Sequence, residues 1–249
     1  MTGTSPFSLE GKTILVTGAS SGIGRSCAQM ISAMGGRLIL TARNESRLQE
    51  TLTQLPGEGH SISPLDLLDN PAIEPWVEQL TAVDGVVHAA GVAKVVPFRM
   101  TTESHVDELM QVNFKAPVLL TQAMLRMKKI RPNASLVFIT AVADHIAPAG
   151  TAVYAASKAA LNAAVRSLAL ETAKHKIRAN SVSPGYVDTP MLERLVSTTS
   201  VDELQKLSHL GEIQPDDVAA SVVYLLSDAA RWVTRACLVI DGGLSVPVR

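Results

Sequence analysis

The chain has 249 residues, 47% of them hydrophobic and 4% aromatic, with a formal net charge of −1. That length suits one α/β domain with a substantial core, and the near-neutral charge argues against nucleic acid or an anionic membrane surface as a partner. Cys27 and Cys237, far apart and outside any CxxC, argue against a disulfide framework or a zinc site and point to a reducing compartment, the cytoplasm. No apolar run approaches transmembrane length, and the first six residues lack the basic and apolar regions of a signal peptide.

Thr13–Val16 is the first short apolar run, followed by a glycine-rich turn and a helical stretch over Ile23–Met34. Leu38–Leu40 and a weaker run at His60–Ser63 flank the helical stretch Ser46–Gln54. Then come Val86–His88, Leu136–Ile139, Ile177–Val182 and Cys237–Ile240, separated by helical patterns at His105–Met127, Val153–Ala173 and Asp216–Ser227. Most runs lack polar/apolar alternation, as strands covered on both faces do. Strand–helix alternation implies parallel strands with right-handed crossovers. The expected fold is therefore α/β: a doubly wound, Rossmann-type parallel sheet flanked by helices, one domain over residues 1–249. Ligands of such sheets bind beyond the carboxyl ends of the strands. Pro190–Leu210, rich in Ser and Thr, reads either as a surface helix pair or as a mobile lid over a substrate.

The turn after the first strand reads Thr17-Gly18-Ala19-Ser20-Ser21-Gly22-Ile23-Gly24. Glycines let the backbone approach a pyrophosphate, and a helix N-terminus offers it free N–H groups and a positive dipole end. Glycine also simply makes turns; the strand before and the amphipathic helix after favour a dinucleotide site. After the second strand, NAD-binding folds carry an acidic residue for the ribose hydroxyls. Ala42 and Arg43 stand there instead. No carboxylate repels a 2′-phosphate, and the guanidinium can grip one. NADP(H) is thus expected over NAD(H), with Ser20 and Asn44 adding hydrogen bonds; the alternative is an ordinary solvated Arg43.

Tyr154 and Lys158 in YAASK are four apart on a helical stretch and share a face. A free phenol titrates at about 10, and a nearby ammonium favours the phenolate. Such a pair can pass a proton to a carbonyl oxygen.

The glycine turn and YAASK together resemble the short-chain dehydrogenase/reductase family over about Leu9–Gly243, nearest in pattern to 3-oxoacyl-[acyl-carrier-protein] reductases. The resemblance implies adenine contacts at Asp66 and Leu67, with a helix cap as the other role for Asp66. HAAG at His88–Gly91 stands where the family has NNAG, so Ala89, Ala90 and Gly91 approach the cofactor while Ala89 replaces an asparagine that braces the central strand. His88 reads as a core histidine rather than a catalyst. Asn113 would support a water-linked relay to Lys158, which also binds the nicotinamide ribose; the alternative is a polar residue bonding backbone. In NSVSPGYVDTP, Pro184 and Gly185 form the family's turn, and the Val187 backbone and Thr189 hydroxyl would hold the nicotinamide carboxamide.

One position departs. Thirteen residues before the tyrosine the family has a serine that orients the substrate oxygen, and here stands Ala141. Losing one such donor costs about 3 kcal/mol, or ~10²–10³ in rate. Three explanations compete: an engineered Ser-to-Ala change, a natural enzyme that is slow or uses Thr140, or NADP(H) binding without turnover. Thr140 would need a local bend, since successive strand residues face opposite ways. Ala143, Asp144 and His145 would rim the substrate pocket, with Tyr186 facing them in family terms; a solvated loop is the alternative.

Near the C-terminus, Pro215 suits a first helical turn with Asp216 and Asp217 behind it, and Arg235-Ala236 replaces the family's Gly-Gln. The small residues of Val153–Ala173, among them Ala155, Ala156, Ala159 and Ala163, permit close approach, and the resemblance implies a homotetramer. The expected activity is NADPH-dependent reduction of a ketone or 3-oxoacyl group, weakened by Ala141. The alternatives are a non-catalytic NADP(H)-binding protein and an NAD-dependent alcohol dehydrogenase. No metal, nucleic acid or membrane is expected.

Overall fold

The computed structural model describes residues 5–195, 203–204 and 206–245. Seven parallel strands form one sheet in the order β3-β2-β1-β4-β5-β6-β7. They are β1 Thr13–Thr17, β2 Arg37–Thr41, β3 Ser61–Ile62, β4 Val83–His88, β5 Ile130–Ile139, β6 Arg178–Pro184 and β7 Cys237–Ile240. Every expected strand is present, the weak one at His60–Ser63 included. Strand order reverses between β1 and β4, the switch point at which doubly wound sheets bind ligands.

The two-residue period of a strand divides the core. Ile14, Val16, Leu38, Leu40 and Val87 pack with α1 (Gly22–Ala33), α2 (Glu45–Thr53) and α9 (Pro215–Leu226). The intervening Leu15, Ile39, Val86 and Leu136 pack with α3 (Asn70–Gln79), α5 (Ala116–Arg126) and α7 (Ala152–Thr172). Both faces are covered by helices, which is why these strands read as unbroken apolar runs. Gly85 stays bare because a Cβ there would meet Ile14 Cδ1 at 2.8 Å and Leu226 Cδ2 at 2.9 Å.

The stretch expected as one helix, His105–Met127, is divided. α4 (Glu103–Met110) runs into a π-turn at Gln111–Lys115 before α5 begins. Pro117 is the local cause: it has no N–H for the Asn113 carbonyl four residues back, and its ring crowds that turn. α3 escaped the sequence reading because Pro71 and Pro75 interrupt its pattern, although Pro71 lies in the first turn, where a missing N–H is harmless. The short α6 (Ala143–Ile146) was likewise not foreseen, while α8 (Pro190–Leu195) lies in the segment for which a surface helix pair was one of the two readings. Of the expected lid, residues 196–202 and 205 lie outside the described residues.

Pro215 opens α9 as expected, and the Asp217 carboxylate accepts the Gln214 N–H at 2.8 Å. Arg235 takes a left-handed conformation, φ +64°, where the family has glycine. Its N–H bonds Ala179 O at 2.8 Å, so the turn keeps β7 docked on β6 at some backbone strain.

His88 ends β4 as a core residue. Its ring stacks on Phe138 with centroids 4.5 Å apart, and Nε2 lies 2.9 Å from Thr121 Oγ1. Thr121 donates its own proton to Pro117 O, so His88 Nε2–H is the donor in that pair. Burial pushes the imidazole down to about 3. An unfolded imidazole titrates at about 6.5. Between these values the unfolded chain binds the extra proton, so the stability present above pH 6.5 is lost as pH falls, by up to about 1.4 kcal/mol per unit. In urea unfolding at pH 7 and pH 4.5, His88→Asn should lose less stability between the two pH values than the parent.

Candidate active site

The glycine turn after β1 packs closely against its own backbone and against the chain leaving β4. Gly18 has φ +67°, and a Cβ there would stand 2.8 Å from the backbone N and Cα of Ala90. A Cβ at Gly24 would overlap the Gly18 carbonyl oxygen. Ser21, the N-cap of α1, makes no side-chain cap bond. Among the described residues, the N–H groups of Ser21, Gly22 and Ile23 find no acceptor. Free N–H groups at a positive helix end fit a dinucleotide pyrophosphate. Arg43 lies exposed just beyond β2 with no partner among the described residues. Asn44 Oδ1 is occupied, accepting the Arg47 N–H at 2.9 Å as the cap of α2. The Ser20 carbonyl accepts from Arg25 Nη2 at 2.7 Å. Asp66, exposed, folds back on the Leu68 N–H at 3.0 Å. It is not the helix cap considered from sequence, because α3 starts four residues later, at Asn70, behind its N-cap Asp69. Leu67 packs partly buried beside the core of that face.

A cavity of about 370 Å³ opens beyond the carboxyl ends of β4, β5 and β6. Of the residues assigned to the cofactor, Ile23, Ala89, Gly91, Gly185, Val187 and Thr189 line it together with Pro184. Tyr154, Lys158 and Ala141 line it too. Gly18, Gly22, Arg43, Asn44 and Asp66 stay outside the wall, towards the ends of β1, β2 and β3. Ala90 is also outside and donates its N–H to Thr17 Oγ1 at 3.2 Å. Met191, Leu192 and Leu204, from the segment expected as a lid, complete the wall.

Lys158 is 4% exposed and donates from Nζ to Ile139 O at 2.9 Å, with Nζ 5.9 Å from the centre of the Tyr154 ring. Burial pushes the amine down to about 8. Burial, and then the Asp144 carboxylate, push the Tyr154 phenol up to about 12. Asn113 is fully buried in the π-turn. Its Oδ1 accepts the Val92 N–H at 2.9 Å, and its Nδ2 donates to Val92 O at 2.9 Å and Ser157 Oγ at 3.0 Å. It therefore bonds backbone, as one of the two sequence readings held. A Cβ on Gly91 would lie 3.3 Å from Asn113 Oδ1 and 3.4 Å from Lys158 Nζ, so the glycine leaves open the space between them.

Ala141 lines the cavity with no donor, and Thr140 does not replace it: its hydroxyl donates to Val182 O at 3.1 Å. The expected rim is corrected in part. Ala143 and Tyr186 line the cavity; Asp144 and His145 do not. The Asp144 side chain is 3% exposed and its Oδ2 accepts from Asn162 Nδ2 at 3.1 Å, while His145, 55% exposed, stands with Nε2 3.4 Å from Asp144 Oδ1. The four-residue α6 turns these side chains off the wall. Lys94, paired with Glu108 at 2.5 Å, is a wall residue the sequence reading missed, and no motif marks it. No group of three or more His, Cys, Asp or Glu that could hold a metal occurs among the described residues. Nor is any described helix long and apolar enough to cross a membrane.

Residues 18–245 match a family model described as Enoyl-(Acyl carrier protein) reductase. The gluconate 5-dehydrogenase of Gluconobacter oxydans is 31% identical over 96% of this chain and 97% of its own length. A 3-oxoacyl-[acyl-carrier-protein] reductase of Thermotoga maritima is 30% identical over 96% of this chain and 99% of its own. Among solved structures, a dehydrogenase/reductase from Sinorhizobium meliloti superposes with a TM-score of 0.88 at 31% identity, covering 96% of this chain and 97% of that one. A short-chain type dehydrogenase/reductase from Mycobacterium marinum gives 0.89 at 28% identity, covering 97% and 98%. With the glycine turn, the Tyr154–Lys158 pair and this coverage together, the chain belongs to the short-chain dehydrogenase/reductase family of nicotinamide-dependent oxidoreductases.

Proposed function

We propose that the protein is an NADPH-dependent reductase that converts a ketone or 3-oxoacyl group to a secondary alcohol. One observation carries the reading: Tyr154 and Lys158 share a cavity wall with Gly91 and with the Pro184–Thr189 segment, so a proton donor and the nicotinamide-side residues meet in one space. The names of the relatives, a 3-oxoacyl reductase and a gluconate dehydrogenase, support the substrate class.

When bound, the nicotinamide ring supplies the hydride. The chain's own groups handle the proton. Tyr154 stands neutral at physiological pH and donates to the carbonyl oxygen as negative charge builds there. The Lys158 ammonium stabilises the phenolate left behind. Asn113 and Gly91 keep a gap beside Nζ through which a water can return the proton. A phenol held protonated by burial and by Asp144 suits reduction better than oxidation, which needs the phenolate as base. Ala143, Ile146, Met191 and Leu192 make much of the wall apolar, which suits an acyl or alkyl substituent.

Val187 and Thr189 are read as the carboxamide contacts, Asp66 and Leu67 as adenine contacts, and Arg43 as the anchor of the 2′-phosphate with Ser20 and Asn44 beside it. Ala156, Ala159 and Ala163, exposed on one face of α7, support the homotetramer reading, and the unpaired Cys27 and Cys237 support a reducing cytoplasm. Alanine at 141 makes the enzyme slower by ~10²–10³ if nothing takes the serine's place. A second reading, NADP(H) binding without turnover, rests on Ala141 and on Ala89, which stands where the family has a strand-bracing asparagine.

Tyr154→Phe should lower kcat by roughly 10²–10⁴-fold, the usual worth of a general acid, while NADPH still binds. NADPH oxidation over a panel of ketones and 3-oxoacyl thioesters tests this, and binding without oxidation of any member would favour the second reading. Arg43→Ala should weaken NADPH more than NADH; equal dissociation constants for the two in the parent would return the NAD-dependent alternative. The Lys158 ammonium, titrating at about 8, is lost well before the phenol deprotonates at about 12, so kcat for reduction should fall as pH rises through about 8, with no further loss assigned to Tyr154 over the measurable range.

A further inference from the structure

Nearly every polar side chain on the cavity wall is already committed. Lys94 is paired with Glu108, and Lys158 donates to Ile139 O. The hydroxyls of Thr140, Thr151 and Thr189 donate to the carbonyls of Val182, Pro148 and Val187 at 3.1, 2.6 and 3.2 Å. Two side-chain hydroxyls on the wall have no protein partner among the described residues: those of Tyr154 and Tyr186. Tyr186 is half-buried, and burial pushes its phenol above the usual tyrosine range, so it is a neutral donor at physiological pH.

The backbone around Tyr186 is fixed on several sides. The Gly185 N–H bonds Ile240 O and the Asp188 N–H bonds Ile213 O, both at 2.9 Å, while Val187 bridges to Ile213. The segment is also sewn to the loop that carries the alanine. The Val142 N–H donates to Pro184 O at 3.0 Å, continuing the β5–β6 pairing past the end of the strand. Ala141 and Tyr186 therefore sit one and two residues from the same hydrogen bond, on one wall with Tyr154.

We propose that the Tyr186 hydroxyl supplies the second hydrogen bond to the substrate carbonyl oxygen, taking over beside Tyr154 the role that a serine at position 141 would fill. The assignment rests on the reductase reading. A partly buried hydroxyl without a partner carries a desolvation cost that a ligand oxygen relieves. A donor held in place before charge develops on that oxygen lowers the barrier without reorganising. The phenol keeps its proton throughout, and Tyr154 alone transfers one.

Four proteins test it: the parent, Tyr186→Phe, Ala141→Ser and the double variant. Each is assayed for NADPH binding and for kcat and KM on simple ketones and the N-acetylcysteamine thioester of 3-oxobutanoate. Tyr186→Phe keeps the ring and removes one hydroxyl, so kcat should fall roughly 10²–10³-fold with KM little changed. In the Ala141→Ser background the same change should cost less than about tenfold, because the serine supplies the donor. An unchanged kcat in Tyr186→Phe, or an equal loss in both backgrounds, would overturn the assignment while the reductase reading stands. NADPH binding by all four with no turnover of any probe would overturn the reductase reading and this assignment with it.

Discussion

Burying the Lys158 ammonium at the carboxyl end of β5 costs several kcal/mol in lost hydration, and much of the surrounding architecture answers that cost. The Ile139 carbonyl accepts one of its protons where the strand stops, which ties α7 to the sheet. Gly91 withholds a side chain so that the space beside Nζ stays open. Asn113 borders that space from a π-turn, which forms where Pro117 removes a donor. Strand end, glycine and helix defect are three local irregularities with one common neighbour.

The economy of polar groups on the cavity wall has a chemical consequence. A ligand entering such a wall meets mostly apolar surface, backbone and a few hydroxyls, so the available hydroxyls decide its orientation. Behind the wall a second, enclosed chain runs from Asp144 through Asn162 to Ser181, with the Asn162 carbonyl accepting the serine hydroxyl at 2.8 Å. It holds a carboxylate close enough to disfavour the phenolate without placing that carboxylate in the substrate's path. Charge behind the wall and hydroxyls on it divide the work between tuning and contact.

Where a residue type was compelled by backbone geometry or by burial on two faces, the sequence could be read directly. Gly18 and Gly24 must lack a Cβ, Thr13–Val16 and Leu38–Leu40 must be apolar throughout, and Tyr154 and Lys158 must be four apart to share a face. His88 was read correctly as a core group. Side-chain direction in short elements could not be read. Asp144 and His145 belong to a four-residue helix that ends at Ala147 in a left-handed turn, φ +39°, and no period is long enough there to say which way they point. The break at Asn113 was hidden because apolar periodicity continues on both sides of it, and α3 was hidden behind its prolines.

Local pattern, then, is the sequence's own contribution: the alternation of strands and helices, the glycine turn and the four-residue spacing of Tyr154 and Lys158 follow from residues within a few positions of one another. Which hydroxyls remain available to a substrate is a property of the tertiary structure alone. Thr140 and Tyr186 are both plausible donors on paper. The pairing of β5 with β6 draws the Thr140 proton to Val182 O, while the turn after Pro184 leaves the Tyr186 hydroxyl on the wall without a partner among the described residues. A hydrogen bond between strands some forty residues apart, |i−j| = 42, decides between them, and no local pattern encodes it.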